Sequence, residues 1–464
     1  MIYDPRLLTE ELVISGRRLH FIGIGGVSMS SIAVMAREEG AEVDGCDLCE
    51  NEGTAACREK GIPVLIGHDP SHVRGCDMVV FSSAVPPHNL ELTAARENGV
   101  LIVPRAVMLS RLLRDRESIG IAGSHGKTTT TYIVSELFRD QGLDPSVMLG
   151  GRVAEWRSSF HLGRGRHFIS EVDESDGSLL CLRQKHSLIT NIDFDHVDYY
   201  RDIEHLKSVF RRYAENTDGG VVVACGDDRG LRDALNDLDG RVAWYGLGED
   251  NEFRAEEVRR EGLARRFVLA RKGEPLGEFA CPLLGDHNLS NAVGALALGV
   301  LLGLDAGRMA ATLARLKGVV RRQDTLGERG GVTVLDDYAH HPTEIRATIS
   351  ALRHLGHNRL VVVFQPHRYT RTAALYRELA SALTGADYVV LTDIYPANEQ
   401  PITGVSSALI AAEFNRLGFG SYQYIPRMEL ILRHLATACR PGDLLVTMGA
   451  GDIRKLGERY VDGD

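Results

Sequence analysis

The sequence lacks a long apolar run, an excess of positive charge and a clustered cysteine framework. Each absence excludes something. The opening MIYDPRLLTEELVISGRR has no apolar stretch of signal-peptide or membrane-spanning length, so a cytoplasmic protein without membrane insertion is expected. The net charge of −10 gives no general pull toward nucleic acid or anionic lipid. An anionic substrate must therefore be gripped by local cations and backbone amides. The eight cysteines, at 46, 49, 57, 76, 181, 225, 281 and 439, are scattered as reduced, mostly buried thiols would be. There is no internal repeat, heptad array or low-complexity tract, and nothing in the sequence sets an oligomeric state.

One cysteine cluster invites a metal reading. Cys46 and Cys49 form C-x-x-C, and His68 and His72 follow at H-x-x-x-H spacing. Zinc on this set needs all four to converge, yet Asp47 lies between the thiols and Pro70 within the histidine pair. The sequence reading takes these as core or loop residues. Near-stoichiometric zinc in protein purified without added metal would overturn it.

What is present is a repeated pattern of short β-branched apolar runs. RLHFIGIGG, MVVFSSA, SIGIAGS, HFISEVDES, SLITNIDFD, GVVVACGDD, VTVLDDYAH, RLVVVFQPH, YVVLTDIYP and DLLVTMGAG each fit a strand buried on both faces. Helix-length segments such as SIAVMAREEG and TTTYIVSELFRDQG follow most of them. This alternation predicts α/β architecture with parallel sheets and functional residues at the C-terminal ends of strands. At 464 residues the chain exceeds one ordinary core, and roughly 150 residues per domain suggests about three domains. The charged stretches RLLRDRES and ARLKGVVRRQDTLGERGG read as boundaries, giving domains over 1–116, 117–317 and 318–464. The Arg/Glu-rich segment from about 227 to 280 reads as a decorated part of the middle domain with some antiparallel strand.

Two glycine loops follow strand-like runs. In FIGIGGVSMSS, Gly23 and Gly25 have the spacing of a dinucleotide-binding turn, but Ser28 takes the third glycine position. In GIAGSHGKTTT, Gly126, Lys127 and Thr128 follow a strand and open a helix. Backbone N–H groups and the helix dipole of such a loop hold phosphate oxygens, the lysine reaches the terminal phosphates and the hydroxyl ligates Mg²⁺. Glycine stands at 120, 123 and 126, with Ile121 where the usual phosphate loop begins. Downstream, EVDESD supplies Glu171, Asp173, Glu174 and Asp176, and NIDFDH supplies Asp193, Asp195 and His196. One carboxylate and His196 suffice for a metal role; helix caps and solvated turns account for the rest. Arg368 and Arg371, three apart after RLVVVFQ, can grip a carboxylate with planar donors.

Taken together, GIAGSHGKTTT, EVDESD, TNIDFDH, GDHNLSNAVGALA, DDYAHHPTEI, FQPHRYTRT and DIYPANEQPITGV occur in an order that resembles the Mur ligases. The resemblance runs from about residue 19 to 453, and G-x-x-G-x-x-G-K-T is the form that family uses. It implies a Rossmann-like N-terminal domain that binds a UDP-sugar, a P-loop-type central domain that binds ATP, and a Rossmann-like C-terminal domain that binds an amino acid. The implied reaction joins L-alanine to the lactyl carboxylate of UDP-N-acetylmuramate through an acyl phosphate, with ATP and Mg²⁺. Alternatives are addition of a recycled tripeptide to the same nucleotide sugar, a nicotinamide-dependent oxidoreductase, and a non-catalytic nucleotide-binding protein.

Carried over by residue, the resemblance puts the UDP-sugar diphosphate on Gly23, Gly25, Gly26, Val27 and Ser28. ATP falls to Gly123, Ser124, His125, Gly126, Lys127, Thr128 and Thr129, with Asn291 on adenine, Asp337 on ribose and Arg322 on the phosphates. Thr128 and Glu171 would hold one Mg²⁺, and His196 a second metal ion. Tyr338, His340, Arg368 and Arg371 would surround the alanine, and His340 is also a candidate proton acceptor. The chain departs from the family pattern at Ser28 and Ser31, which replace glycines, and in GVVRRQD. A Cβ at 28 is expected to narrow the space for a pyrophosphate.

Overall fold

The computed structural model describes residues 12–463 apart from 83, 154, 157, 176, 196–198 and 239. Three sheets organise it. The first holds β1 (Arg18–Ile22), β2 (Glu42–Asp47), β3 (Val64–Ile66), β4 (Met78–Phe81) and β5 (Leu101–Pro104) in the order β3-β2-β1-β4-β5. All of its pairings are parallel, which is the Rossmann-like arrangement with a reversal of strand order beside β1.

The second sheet has ten strands. β6 (Glu117–Ala122), β7 (Ser146–Val153), β8 (Ser158–His161), β9 (His167–Glu171), β10 (His186–Ile189), β11 (Val222–Cys225) and β12 (Val242–Gly246) precede β13 (Phe253–Glu261), β14 (Ala264–Arg271) and β15 (Glu274–Cys281). Their order is β15-β14-β13-β12-β11-β10-β6-β9-β7-β8. The centre is parallel, and β13 to β15 are antiparallel, as the Arg/Glu-rich segment suggested. The third sheet holds β16 (Asp324–Arg329), β17 (Val332–Asp337), β18 (Leu360–Phe364), β19 (Tyr388–Leu391), β20 (Tyr422–Tyr424) and β21 (Leu444–Met448), in the order β16-β17-β21-β18-β19-β20. Only β16 pairs antiparallel there.

Burial on both faces explains the apolar runs. In β18, Leu360, Val362 and Phe364 join one core, while Val361 and Val363 join the core on the opposite face. In the first sheet, Leu19, Phe21 and Val80 face one layer and Ile22, Val79 and Phe81 the other. A strand sealed on both sides has no solvated register to slip into, so its C-terminal end is a fixed point from which a loop can present polar groups. Among the described residues, no helix is long and apolar enough to cross a membrane.

Candidate active site

The ATP-type loop joins β6 to the helix Lys127–Asp140. Its glycine spacing has a steric cause. A Cβ at Gly120 would lie 1.3 Å from the Gln184 side chain, and one at Gly123 would lie 2.0 Å from Thr190 Oγ1. Gly126 caps the helix in the left-handed region at φ +81°, with the Asn291 amide 2.8 Å from where a Cβ would stand. Lys127 then folds back over the loop. Its Nζ donates to Gly123 O (2.7 Å), Ser124 O (3.2 Å) and Glu174 Oε2 (2.7 Å). Burial opposes its charge, but Glu174, Asp173 and Glu171 together raise its pKa above the ordinary lysine value.

Thr128 Oγ1 donates to Glu171 Oε2 over 2.8 Å, and the Gly150 N–H donates to the same oxygen over 2.7 Å. A hydroxyl and a carboxylate at the loop mouth are the hard oxygen donors Mg²⁺ takes, so this pair fits such an ion. His196, the other expected metal ligand, lies outside the described residues. Ser124 and His125 are tied to β10's outgoing loop. The Ser124 hydroxyl donates to Asp193 O (3.0 Å), and the His125 N–H donates to Asn191 Oδ1 (2.8 Å).

A cavity of about 490 Å³ lies beside this loop, lined by Gly126, Thr129, Asn291, Arg322 and Asp337. It brings together residues expected to meet adenine, ribose and phosphate. Asp337 is already engaged, accepting from the backbone N–H groups of Gln323 (3.0 Å) and Ala339 (2.8 Å). Burial pushes its carboxyl up to about 6 against the pull of Arg322.

A second cavity, of about 310 Å³, is the meeting point of all three sheets' loops. Ser28 and Arg105 come from the first, Lys127, Thr128 and Glu171 from the second, and Arg322, Tyr338 and His340 from the third. Arg322 stacks its guanidinium 5.0 Å from the Tyr338 ring centre. His340 Nδ1 is 2.9 Å from Tyr338 O, and burial presses its pKa down to about 3 despite Glu344, so the ring is neutral.

The arginines split. Arg371, nearly buried, makes a two-pronged contact with Asp195 at 2.9 and 3.0 Å. It meets a carboxylate as its residue type suggested, but one supplied by the central domain. Arg368 caps the helix Tyr369–Leu383 with its N–H on Tyr395 O (2.9 Å) and lines neither cavity.

The first glycine loop leads from β1 into the helix Val27–Glu38. Gly23, at φ +76°, donates its N–H to Cys46 O (2.9 Å), and Gly25 donates to Asp47 Oδ2 (2.8 Å). Gly25, Gly26 and Val27 line a cleft of about 1090 Å³ that extends to Thr128, Arg322 and Tyr338. Ser28 faces the smaller cavity beside Lys127 instead. The Ser31 hydroxyl is buried and satisfied by Val27 O at 3.0 Å. Ser28→Gly is therefore expected to change the KM for a nucleotide sugar by no more than about twofold, read from initial rates. A larger fall in KM would show that the Cβ narrows the diphosphate seat.

Sequence reading missed Glu344. Its Oε2 accepts from the N–H groups of His340 (3.1 Å) and His341 (3.3 Å), and its Oε1 lies 3.5 Å from His125 Nδ1 and 3.6 Å from Arg322. The signal was present in HPTE: His341 caps the helix Pro342–Leu352, with proline next and Glu344 closing a capping box.

The chain matches three family profiles. These are the Mur ligase family catalytic domain over residues 18–117, the Mur ligase middle domain over 121–299, and the Mur ligase glutamate ligase domain over 321–451. It is 41% identical over 446 residues to the UDP-N-acetylmuramate--L-alanine ligase of Geotalea daltonii, covering 96% of this chain and 97% of that one. It is 42% identical over 450 residues to the enzyme of the same name from Oleidesulfovibrio alaskensis, covering 96% and 99%. Among solved structures, the UDP-N-acetylmuramate-alanine ligase of Thermotoga maritima superposes with a TM-score of 0.80 at 27% identity, covering 96% and 99%. A murein peptide ligase from Psychrobacter arcticus shares the fold, with a TM-score of 0.69 at 23% identity over 96% and 98%. With all three sheet-bearing regions matched in order along nearly the whole chain, this protein belongs to the Mur ligase family.

Proposed function

We infer that this chain is an ATP-dependent ligase that joins L-alanine to the lactyl carboxylate of UDP-N-acetylmuramate, a cytoplasmic step in making peptidoglycan precursors. The observation that carries this is the 310 Å³ cavity where groups of three kinds converge: a phosphate-loop lysine, a hydroxyl–carboxylate pair and an arginine–aromatic–histidine wall. The names of the full-length relatives support the substrates. We take the domains as 1–116, 117–317 and 318–464, a division supported by the sheets, which break between Pro104 and Glu117 and between Cys281 and Asp324.

A carboxylate is a poor electrophile, so its oxygen first takes the γ-phosphoryl group of ATP, releasing ADP and leaving an acyl phosphate. Lys127 sets a full positive charge against the transferring phosphoryl oxygens, and Arg322 approaches from the C-terminal domain. Thr128 and Glu171 would hold Mg²⁺, which when bound neutralises phosphate charge that would otherwise repel the carboxylate. The alanine amine then attacks the acyl carbon, and the tetrahedral intermediate expels phosphate to leave the amide.

The amine must arrive without its extra proton. A His340 ring with a pKa of about 3 is a weak acceptor from an ammonium group, so its contribution is to bind and orient. His340→Ala is expected to raise the KM for L-alanine about tenfold, with a smaller change in kcat. A kcat loss at unchanged KM would instead assign it the proton.

Phosphate release, followed with ATP and UDP-N-acetylmuramate across a panel of amino acids, tests the whole reading. Turnover with L-alanine is expected. Turnover only with L-alanyl-γ-D-glutamyl-meso-diaminopimelate would replace it with the tripeptide-adding reaction.

A further inference from the structure

A second group of ligating side chains lies in the first domain, away from the ATP loop. On β1 the strand RLHFI places His20 on the face shared by Ile22, in a layer otherwise built from Val79, Phe81, Leu92 and Ala95. An apolar residue is what that position asks for. His20 is fully buried, and so are Cys46 on β2 and Glu91 in the first turn of the helix Leu90–Glu97. His72, from the short turn Pro70–Val73, closes the group. One ligand atom from each of His20, Cys46, His72 and Glu91 lies within 4.8 Å of every other.

The hydrogen bonding leaves one atom unexplained. Glu91 Oε1 accepts from Asp69 N (3.1 Å) and lies 2.6 Å from His72 Nδ1. Glu91 Oε2 lies 2.9 Å from Cys46 Sγ and 3.2 Å from His68 Nδ1. His20 Nδ1 sits 2.5 Å from Asp44 Oδ1 and donates its N–H there, which leaves Nε2 as the ring nitrogen that faces the cluster. That Nε2 has no hydrogen-bond partner among the described residues. It points toward Glu91 Oε2 at 3.7 Å, beyond hydrogen-bond reach. Two ligands on one tetrahedral zinc ion, each at about 2.0–2.2 Å, stand roughly 3.4 Å apart, close to this separation.

We propose that His20, Cys46, His72 and Glu91 form a structural zinc site that fastens β1, β2, the Pro70–Val73 turn and the Leu90–Glu97 helix to one another. The charges balance: a thiolate and a carboxylate carry two negative charges, and two neutral imidazoles complete the donor set for a divalent ion. Asp44 behind His20 is the outer carboxylate that fixes a zinc-bound imidazole's tautomer and orientation. His68, with Nδ1 3.3 Å from Cys46 Sγ, stands as an outer partner of the thiolate. Cys49 of the C-x-x-C is exposed and takes no part. His20 and Glu91, which no short motif marks, stand in place of Cys49 and His68. The site braces the nucleotide-sugar side of the fold, because Cys46 O receives the Gly23 and Ile24 N–H groups and the next residue, Asp47, receives Gly25.

The test does not depend on the proposed activity. Full-length protein, made without a metal-affinity tag and dialysed, is expected to hold about one zinc per chain by mass spectrometry. Zinc-edge absorption on that protein should show one sulfur near 2.3 Å with nitrogen or oxygen at about 2.0–2.1 Å. Exchange to Co²⁺ should give tetrahedral d–d bands and a thiolate charge-transfer band. Cys46→Ser should abolish the charge-transfer band, with far-ultraviolet circular dichroism checking that the variant is folded. Background zinc in the folded parent, or bound zinc without a sulfur neighbour, would overturn the proposal. So would a charge-transfer band that survives in folded Cys46→Ser.

Discussion

Lys127→Ala is expected to lower phosphate release by about 10³-fold while leaving the fold intact. The lysine is the first residue of the helix Lys127–Asp140, and its side chain is only 13% exposed. Three oxygens within 3.2 Å hold Nζ in place: Gly123 O, Ser124 O and Glu174 Oε2. Glu174, Asp173 and Glu171 keep it protonated against burial, so the charge is fixed before ATP arrives. Such a preorganised cation stabilises developing phosphoryl charge without reorganisation, and its loss acts on kcat. Its removal also leaves those three carboxylates facing the triphosphate, so ATP affinity should fall as well. Lys127→Arg restores charge on a larger planar head that cannot thread the same carbonyls, and should recover only a small part of the rate. Phosphate-release kinetics with calorimetric ATP titration read both effects. Activity within tenfold of the parent would mean that this loop does not cradle the transferring phosphate.

The parts of this architecture legible in the sequence are those whose burial leaves a local mark. β18 reads as LVVVF because alternate residues enter two different cores, and the other two-sided strands read for the same reason. β2, EVDGCD, and the three-residue β3 carry no such mark. Their acidic and exposed positions are tolerated because β1 on one side and short pairing on the other fix them. The glycine spacing of the phosphate-type loop was visible, but its reason, the Gln184 and Thr190 side chains from another part of the chain, was not. Arg371 announced a carboxylate partner by its type, yet that partner is Asp195, 176 residues away. Contacts between segments distant in the chain impose no periodicity, so side chains such as Glu344, Asp195 and Glu91 read locally as caps or turn acids.

Glu344→Gln should show how much the contact between the central and C-terminal domains depends on such a carboxylate. His125, in the loop before the helix Lys127–Asp140, stands between two carboxylates: Asp193 Oδ2 at 2.9 Å from Nε2 and Glu344 Oε1 at 3.5 Å from Nδ1. Burial lowers its pKa, but Asp193 and then Glu344 more than compensate, raising it to about 9. The same Asp193 oxygen takes the Thr343 hydroxyl at 2.5 Å, so the central and C-terminal domains share one charged cluster. The sign follows from the raised pKa. An unfolded histidine releases its proton near 6.5, whereas folded His125 keeps it to about 9. The stability it contributes is therefore complete below about 6.5 and is lost as pH climbs toward 9. Glu344→Gln keeps an acceptor for the His340 and His341 N–H groups but removes the charge felt by His125 and Arg322. The upper edge of the window should move down. Domain coupling should weaken by about 2 kcal/mol, seen as roughly a thirtyfold fall in kcat/KM. Thermal unfolding of parent and variant from pH 6 to pH 10, alongside rates at neutral pH, checks both halves. An unchanged pH slope in the variant would show that Asp193 alone holds the His125 proton, and that Glu344 serves only as the cap of its helix.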